Sequence, residues 1–273
     1  DMLTKACNTR PFAQLRPVTH RINKKFSQDI AARLSQADKP LVLVGGTSFD
    51  ATAAKRLTQI CEDAQIPIIS AFRRQSLIDH RGPAYVGVLG LGPDPKLLEK
   101  IAQSDCILAL GTRLGDIVSQ GYTLFDTDSV NEQLIHITED EHDLGRVFPA
   151  SASFATHTST FIENLPVIDA GNRADWFKNA RDDYRTFSKQ QPKNLTLNPA
   201  FVFERLRALC SDDVVITNGA GNFSIWAHRY FPLHSFNTQL GPVSGAMGYA
   251  LPAALGAAAL GHEAIAVTGD GDF

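Results

Sequence analysis

The segment Ile265 to Phe273, IAVTGDGDF, runs an apolar stretch straight into Gly269-Asp270-Gly271-Asp272. An acidic residue held at a strand's end between glycines can reach a hard cation, and the neighbouring glycine amides can approach a phosphate closely. On its own the same motif is equally readable as a plain strand-to-helix turn. Upstream, QLGPVSGAMGYALPAALGAA sets Gly245, Ala246, Met247 and Gly248 before a stretch rich in Ala and Gly. Small residues there permit close helix packing, with Met247 as core filler, unless the turn serves a ligand. A third segment, TNGAGNFSIW, is a strand end whose glycines and Asn222 lead into a helix carrying Trp226, a turn that exposes amides to an anion.

These segments need a scaffold that brings strand ends to one edge. From Lys39 onward short apolar runs alternate with amphipathic stretches, the pattern of a parallel sheet covered by helices. LVLV (Leu41 to Val44) ends in Gly45-Gly46, a helix is predicted from about Asp50 to Gln65, and PIIS (Pro67 to Ser70) reads as the next strand. Further along come a helix capped by Asp94 and opened by Pro95, then the strands CILAL (Cys106 to Leu110) and LIHI (Leu134 to Ile137). The expected fold class is α/β: a doubly wound parallel-sheet domain over 25–166, followed by the first part of a second α/β domain over 198–273. The polar stretch 167–197, with a helical pattern from Ala174 to Gln190, reads as an interdomain connector. The second domain opens with Asn198 as N-cap and Pro199 at the first helical position, followed by the strands VVIT (Val214 to Thr217) and Ala264 to Thr268. The alternation calls for a further helix and strands after Phe273, so the expectation is a chain cut short.

Composition narrows the partners. With 44% hydrophobic residues and a formal net charge of -3, the chain can fill a core and shows no basic run for nucleic acid or an anionic membrane. Cys7, Cys61, Cys106 and Cys210 form no CxxC pair and the eight histidines are scattered, so reduced structural thiols in a cytoplasmic protein are expected and a Cys/His metal cluster is not. Ala246 to Leu260 is too short for a membrane span of roughly 20 residues and contains Pro252. The polar start DMLTKACNTR has no apolar stretch of the signal-peptide kind.

Taken together, the three segments, in this order, resemble the diphosphate-binding domain of thiamine-diphosphate enzymes, and the upstream domain resembles the central domain of acetolactate synthases. The second likeness rests on LVGG, PIIS, LALGTR (Leu108 to Arg113) and LIHI. The resemblance implies that Asp270 ligates Mg²⁺ and that the amides of Gly271 and Asp272 touch the cofactor's diphosphate. Ala220, Gly221, Asn222 and Phe223 match the turn cradling the same group. Gly245 would offer its carbonyl to the aminopyrimidine and Met247 would wedge between the two rings, holding them in a bent conformation. Residues 1–24 look like the linker leaving a pyrimidine-binding domain, and with that domain would go the family's catalytic glutamate. The asparagine that completes the metal motif belongs further downstream.

The implied activity is decarboxylation of a 2-keto acid and joining of the resulting carbanion to a second carbonyl, as a transferase or lyase working as a homodimer or homotetramer. A simple 2-keto-acid decarboxylase is the neighbouring alternative, and a non-catalytic nucleotide-binding regulatory protein the distant one. Acetolactate synthases also hold a flavin (FAD) on the central domain. Here Pro93-Asp94-Pro95 follows VGVLGLG, and GTRLGD departs from the family's arginine and acidic pattern. Arg113 alone matches a flavin-contacting arginine, and it reads equally as a surface or interdomain salt-bridge residue. Gly45-Gly46 makes no GxGxxG and reads as a tight turn.

Overall fold

The computed structural model describes residues 22, 24–189 and 197–273. The expected linker 1–24, except Ile22 and Lys24, lies outside the described residues, as does 190–196 of the connector.

The first unit is a six-stranded, all-parallel sheet. Its strands are β1 (Pro40–Val44), β2 (Ile68–Ala71), β3 (Tyr85–Leu89), β4 (Cys106–Leu110), β5 (Asn131–Thr138) and β6 (Ala150–Ala155), in the order β3-β2-β1-β4-β5-β6. Both faces of the sheet are covered, so alternate residues of one strand enter different cores. Val42 and Val44 pack with Leu108, Leu110, Ile135 and Ile137 under α1 (Lys24–Gln36), α2 (Ala51–Asp63) and α4 (Thr158–Glu163). Leu41 and Leu43 pack with Ile69, Ile107, Ala109 and Leu134 under α3 (Pro95–Gln103) and α5 (Ala174–Lys189). The expected cap of α3 is present, Asp94 accepting from Lys96 N at 3.0 Å, and Asp50 caps α2 by accepting from Ala53 N at 2.8 Å.

Strand order reverses between β1 and β4, where doubly wound sheets open a crevice. The Gly45-Gly46 and Gly111-Thr112 turns close on each other there. A methyl on Gly46 would fall 2.0 Å from the Gly111 carbonyl oxygen, so the glycine pair follows from backbone packing.

Helix α5, read from sequence as a connector because of its polarity, also forms part of the first unit. Its Ala180 is buried in the second of these cores, and its Trp176 indole donates to Pro40 O at 3.0 Å. Arg181 is buried with it and donates to the carbonyls of Tyr85, His80 and Arg81 at 2.6, 2.9 and 3.1 Å.

The second unit has three parallel strands in the order β8-β7-β9: β7 (Val215–Asn218), β8 (Gln239–Leu240) and β9 (Ala264–Val267). Helices α6 (Pro199–Leu209), α7 (Ser224–Tyr230) and α8 (Ala250–Ala259) accompany them. Asn198 caps α6 by accepting from Ala200 N at 3.1 Å. Its core is small, centred on Val214, Ile216, Ala227, Phe231 and Leu233. Among the described residues no helix is long and apolar enough to cross a membrane.

Candidate functional site

Because β7, β8 and β9 run parallel, the three turns that follow them emerge at one edge of the second sheet. The turn after β7 holds Gly219 to Phe223, the turn after β8 holds Gly241 to Tyr249, and the turn after β9 holds Thr268 to Asp272.

Asp272 ties all three together. Its carboxylate is buried, accepts from the Gly248 amide at 2.5 Å, and lies against Gly219 so closely that a methyl there would fall 1.2 Å from Oδ2. The Phe223 ring covers two glycines of different turns: methyls on Gly221 and Gly269 would approach it to 2.5 and 3.0 Å. The turn after β8 is left-handed at Gly245 (φ 71) and Gly248 (φ 81), a conformation glycine adopts at little cost. Between them Met247 is 66% exposed, and its sulfur lies 3.6 Å from where a Gly271 side chain would begin. Met247 therefore fills no core. Below the turn, the Thr217 hydroxyl donates to Ala250 O at 2.7 Å and anchors the start of α8 to β7.

Of the residues expected from sequence, Gly221, Phe223, Gly245, Met247, Asp270, Gly271 and Asp272 all stand in these three adjoining turns, with Ala220 and Asn222 beside them. Asp270 and Asn222 face solvent, and open space surrounds Gly245 and Gly248. Among the described residues no group of three or more His, Cys, Asp or Glu side chains is gathered for a metal. A Mg²⁺ bound through one or two carboxylates plus phosphate oxygens needs no such group, and the exposed Asp270 fits that mode. Cys61, Cys106 and Cys210 are free thiols, and burial raises the pKa of the Cys106 thiol to about 11, which keeps it unreactive.

Two features carry more than the sequence reading gave them. The Asp272 side chain, not only its amide, organises the site; an acidic residue directly after a GDG turn was the available signal. The second is Phe72-Arg73-Arg74, at the carboxyl end of β2, which reaches the second unit: Arg73 donates to Pro242 O in the turn after β8. Arg113 stands exposed beside the β1–β4 crevice and makes no ion pair among the described residues, so the salt-bridge reading of it finds no partner there.

Fold and site thus define an α/β protein whose candidate site lies at the carboxyl ends of parallel strands, the edge at which such sheets bind ligands. Residues 27–165 match the family model of the thiamine pyrophosphate enzyme central domain, and 219–273 match that of the C-terminal TPP binding domain. The chain belongs to the thiamine pyrophosphate enzymes. It is 25% identical over 270 residues to the acetolactate synthase isozyme 1 large subunit of Escherichia coli K12, covering 97% of this chain and 47% of that protein. The acetolactate synthase large subunit of Corynebacterium glutamicum is 26% identical over 94% of this chain and 42% of its own length. The mitochondrial acetolactate synthase catalytic subunit of Saccharomyces cerevisiae is 24% identical over 97% and 41%. The chain spans less than half the length of each of these relatives.

Proposed function

We propose that these residues belong to a thiamine-diphosphate- and Mg²⁺-dependent enzyme that decarboxylates a 2-keto acid and joins the product to a second carbonyl, the activity from which acetolactate synthases take their name. The observation that carries the reading is the meeting of three strand-end turns, with Met247 held out of the core against Gly271 and Asp272 tying the turns together. In this reading Asp270 would ligate the metal, and the amides of Ala220 to Phe223 and of Gly271 would bind the diphosphate; the Asp272 amide, expected to join them, instead donates to Gly269 O at 3.1 Å. The Gly245 carbonyl would accept from the aminopyrimidine, and Met247 would support the bend between the rings. Bound there, the cofactor would supply a carbon nucleophile for attack on the keto carbon. The protein's task is to orient it and to exclude water.

The catalytic glutamate and the second half of the cofactor site would come from outside these residues, in a longer homo-oligomeric enzyme. Coverage of less than half of each relative supports this, as do Leu255 on α8 and Leu260 just past its end, which stand 62% and 81% exposed as at a surface covered in an assembly.

The test is CO₂ release from pyruvate and other 2-keto acids, together with calorimetric titration of thiamine diphosphate and Mg²⁺. Residues 1–273 alone are expected to turn over nothing, and an enzyme that adds a pyrimidine-binding domain and the rest of the metal motif is expected to be active. Asp270→Ala in that enzyme should abolish metal-dependent cofactor binding and turnover. An Asp270→Ala enzyme of normal activity would remove the metal role and the reading built on it.

A further inference from the structure

The flavin that the likeness to acetolactate synthases implies for the first unit would lie where strand order reverses, between the turns after β1 and β4. Such a site needs free amides for the diphosphate, at the turn and at the start of the following helix, and it needs room between the two turns. The amides are engaged by the protein itself. Gly45 N donates to Leu110 O at 2.8 Å and Gly111 N to Ile137 O at 2.7 Å, which ties the strand ends to one another. At the start of α2 the Ala53 amide donates to the Asp50 carboxylate at 2.8 Å, and that bond holds the Asp50 carboxyl below its ordinary pKa. The helix end that would face a diphosphate therefore already carries an anion. Asp50 N, next to it, donates to Ser159 Oγ at 3.0 Å.

The room is taken as well. A methyl on Gly45 would fall 2.8 Å from Thr112 Cβ and 3.0 Å from Ala71 Cβ, and one on Gly111 would fall 2.5 Å from Gly45 O and 3.0 Å from Thr158 Oγ1. The two turns are thus in contact through their backbones, and the start of α4 is packed onto them. Ser48 and Thr158, both buried, share a hydrogen bond at 2.8 Å, and Ser159 N donates to Ser48 O at 3.1 Å. On the other side of β4 the buried His136 donates from Nε2 to Thr112 O at 2.8 Å, and Leu114 enters the core. In the acidic loop after β5, Asp140 accepts from His142 N at 2.9 Å and so caps its own turn. Arg113, which matches a flavin-contacting arginine, stands exposed at the rim of this closed junction.

We infer that the first unit of this chain binds no flavin, because its own turns and the start of α4 occupy the crevice that a dinucleotide would use. The residues present do not fit that group: the amides are paired, the glycines touch across the gap, and a carboxylate caps the helix. The inference stands on the geometry of the first unit and does not depend on the reading of the thiamine diphosphate site.

The experiment uses the whole enzyme, incubated with excess FAD and then freed of unbound ligand by gel filtration. Its visible spectrum should lack the flavin band. Titration with FAD, followed by flavin fluorescence and by calorimetry, should show no saturable binding, and FAD should leave the thermal midpoint where it was. Thiamine diphosphate with Mg²⁺, titrated in parallel, should bind and raise that midpoint. A second measurement probes the closure of the turns. Gly46→Ala drives a methyl into the Gly111 carbonyl at φ 70, and it should raise the unfolding constant in urea roughly ten-fold or more. Failure of the variant to fold counts as the same result. Flavin retained on the enzyme, saturable FAD binding, or a Gly46→Ala enzyme as stable as the wild type would each overturn the inference. If neither FAD nor thiamine diphosphate binds, the functional reading fails and the closed crevice stands.

Discussion

Gly219 has no room for a side chain, because the Asp272 carboxylate occupies the space where one would go. Gly219→Ala therefore forces apart two of the three turns, and overpacking of this kind costs about 1–3 kcal/mol. Urea unfolding should show the loss, and cofactor binding should weaken with it. Removing the carboxylate as well, in the double variant Gly219→Ala/Asp272→Ala, should restore part of the stability, since the clash needs both groups. Equal stability of Gly219→Ala and wild type would mean that Asp272 does not sit where the structure has it. At this scale the glycines, Met247 and Asp270 were legible in the sequence, because each belongs to a local motif whose spacing is visible. The Asp272 side chain and Arg73 were not. Their importance lies in what meets them across the fold: Gly248 is 24 residues from Asp272, and Pro242 is 169 from Arg73.

Elements were legible where burial and periodicity coincide. Strands β1, β2, β4 and β7 are buried throughout and read as apolar runs, α2 shows in the helical spacing of Ala54, Leu57 and Cys61, and α3 and α6 announce themselves by Asp94 and Asn198 at their N-caps. Strand β3 escaped because Gly87 interrupts it at φ 128, and β6 because ASASFA is a half-exposed edge strand with little apolar character. Helix α5 was seen and read as a connector, and it also packs on the first sheet. Its polar residues include Arg181, which a sequence reading places in solvent and the structure places over the start of β3. Arg181→Met keeps the length of the side chain and leaves three carbonyl oxygens without their donor. At about 1–3 kcal/mol for each buried acceptor left unsatisfied, less what water can recover, the variant should lose at least about 2 kcal/mol in urea unfolding. A loss below about 0.5 kcal/mol, the level of an ordinary surface substitution, would show that α5 is a connector and not a layer.

The two units meet along the segment Gln75 to Arg81, which runs from the end of β2 across to the second sheet. His80 N donates to Leu233 O at 2.9 Å, Asn237 N to Ser76 O at 2.9 Å, and Gln239 N to Ser76 Oγ at 3.1 Å. The exposed Arg81–Asp212 pair at 2.7 Å adds little, as surface ion pairs do. His80 is the sensitive member of this seam. Its Nδ1 accepts from Leu233 N at 3.2 Å and its Nε2 lies 3.1 Å from Gln75 O, so the ring is neutral with the proton on Nε2, stacked 3.9 Å from Tyr85. Burial depresses its pKa to about 3, with Arg181 and His234 pushing the same way and Asp79 opposing. His228, half-buried near Arg73, is depressed to about 4 by desolvation. A base whose folded pKa is lowered binds its proton more readily when unfolded. The stability each histidine lends is therefore complete above its unfolded pKa near 6.5, and it drains away as pH falls toward the folded value. Between pH 6 and 4 His80 should contribute a loss approaching about 1.4 kcal/mol per pH unit, and His228 a loss that fades as pH nears 4. Urea unfolding at pH 7, 6 and 5 should show this slope in the wild type. His80→Gln, which cannot titrate, should be less stable at pH 7 and should lose stability less steeply on acidification. Parallel slopes in the two proteins would mean that His80 is already solvated at the seam, and that the two units part without the proton having to enter.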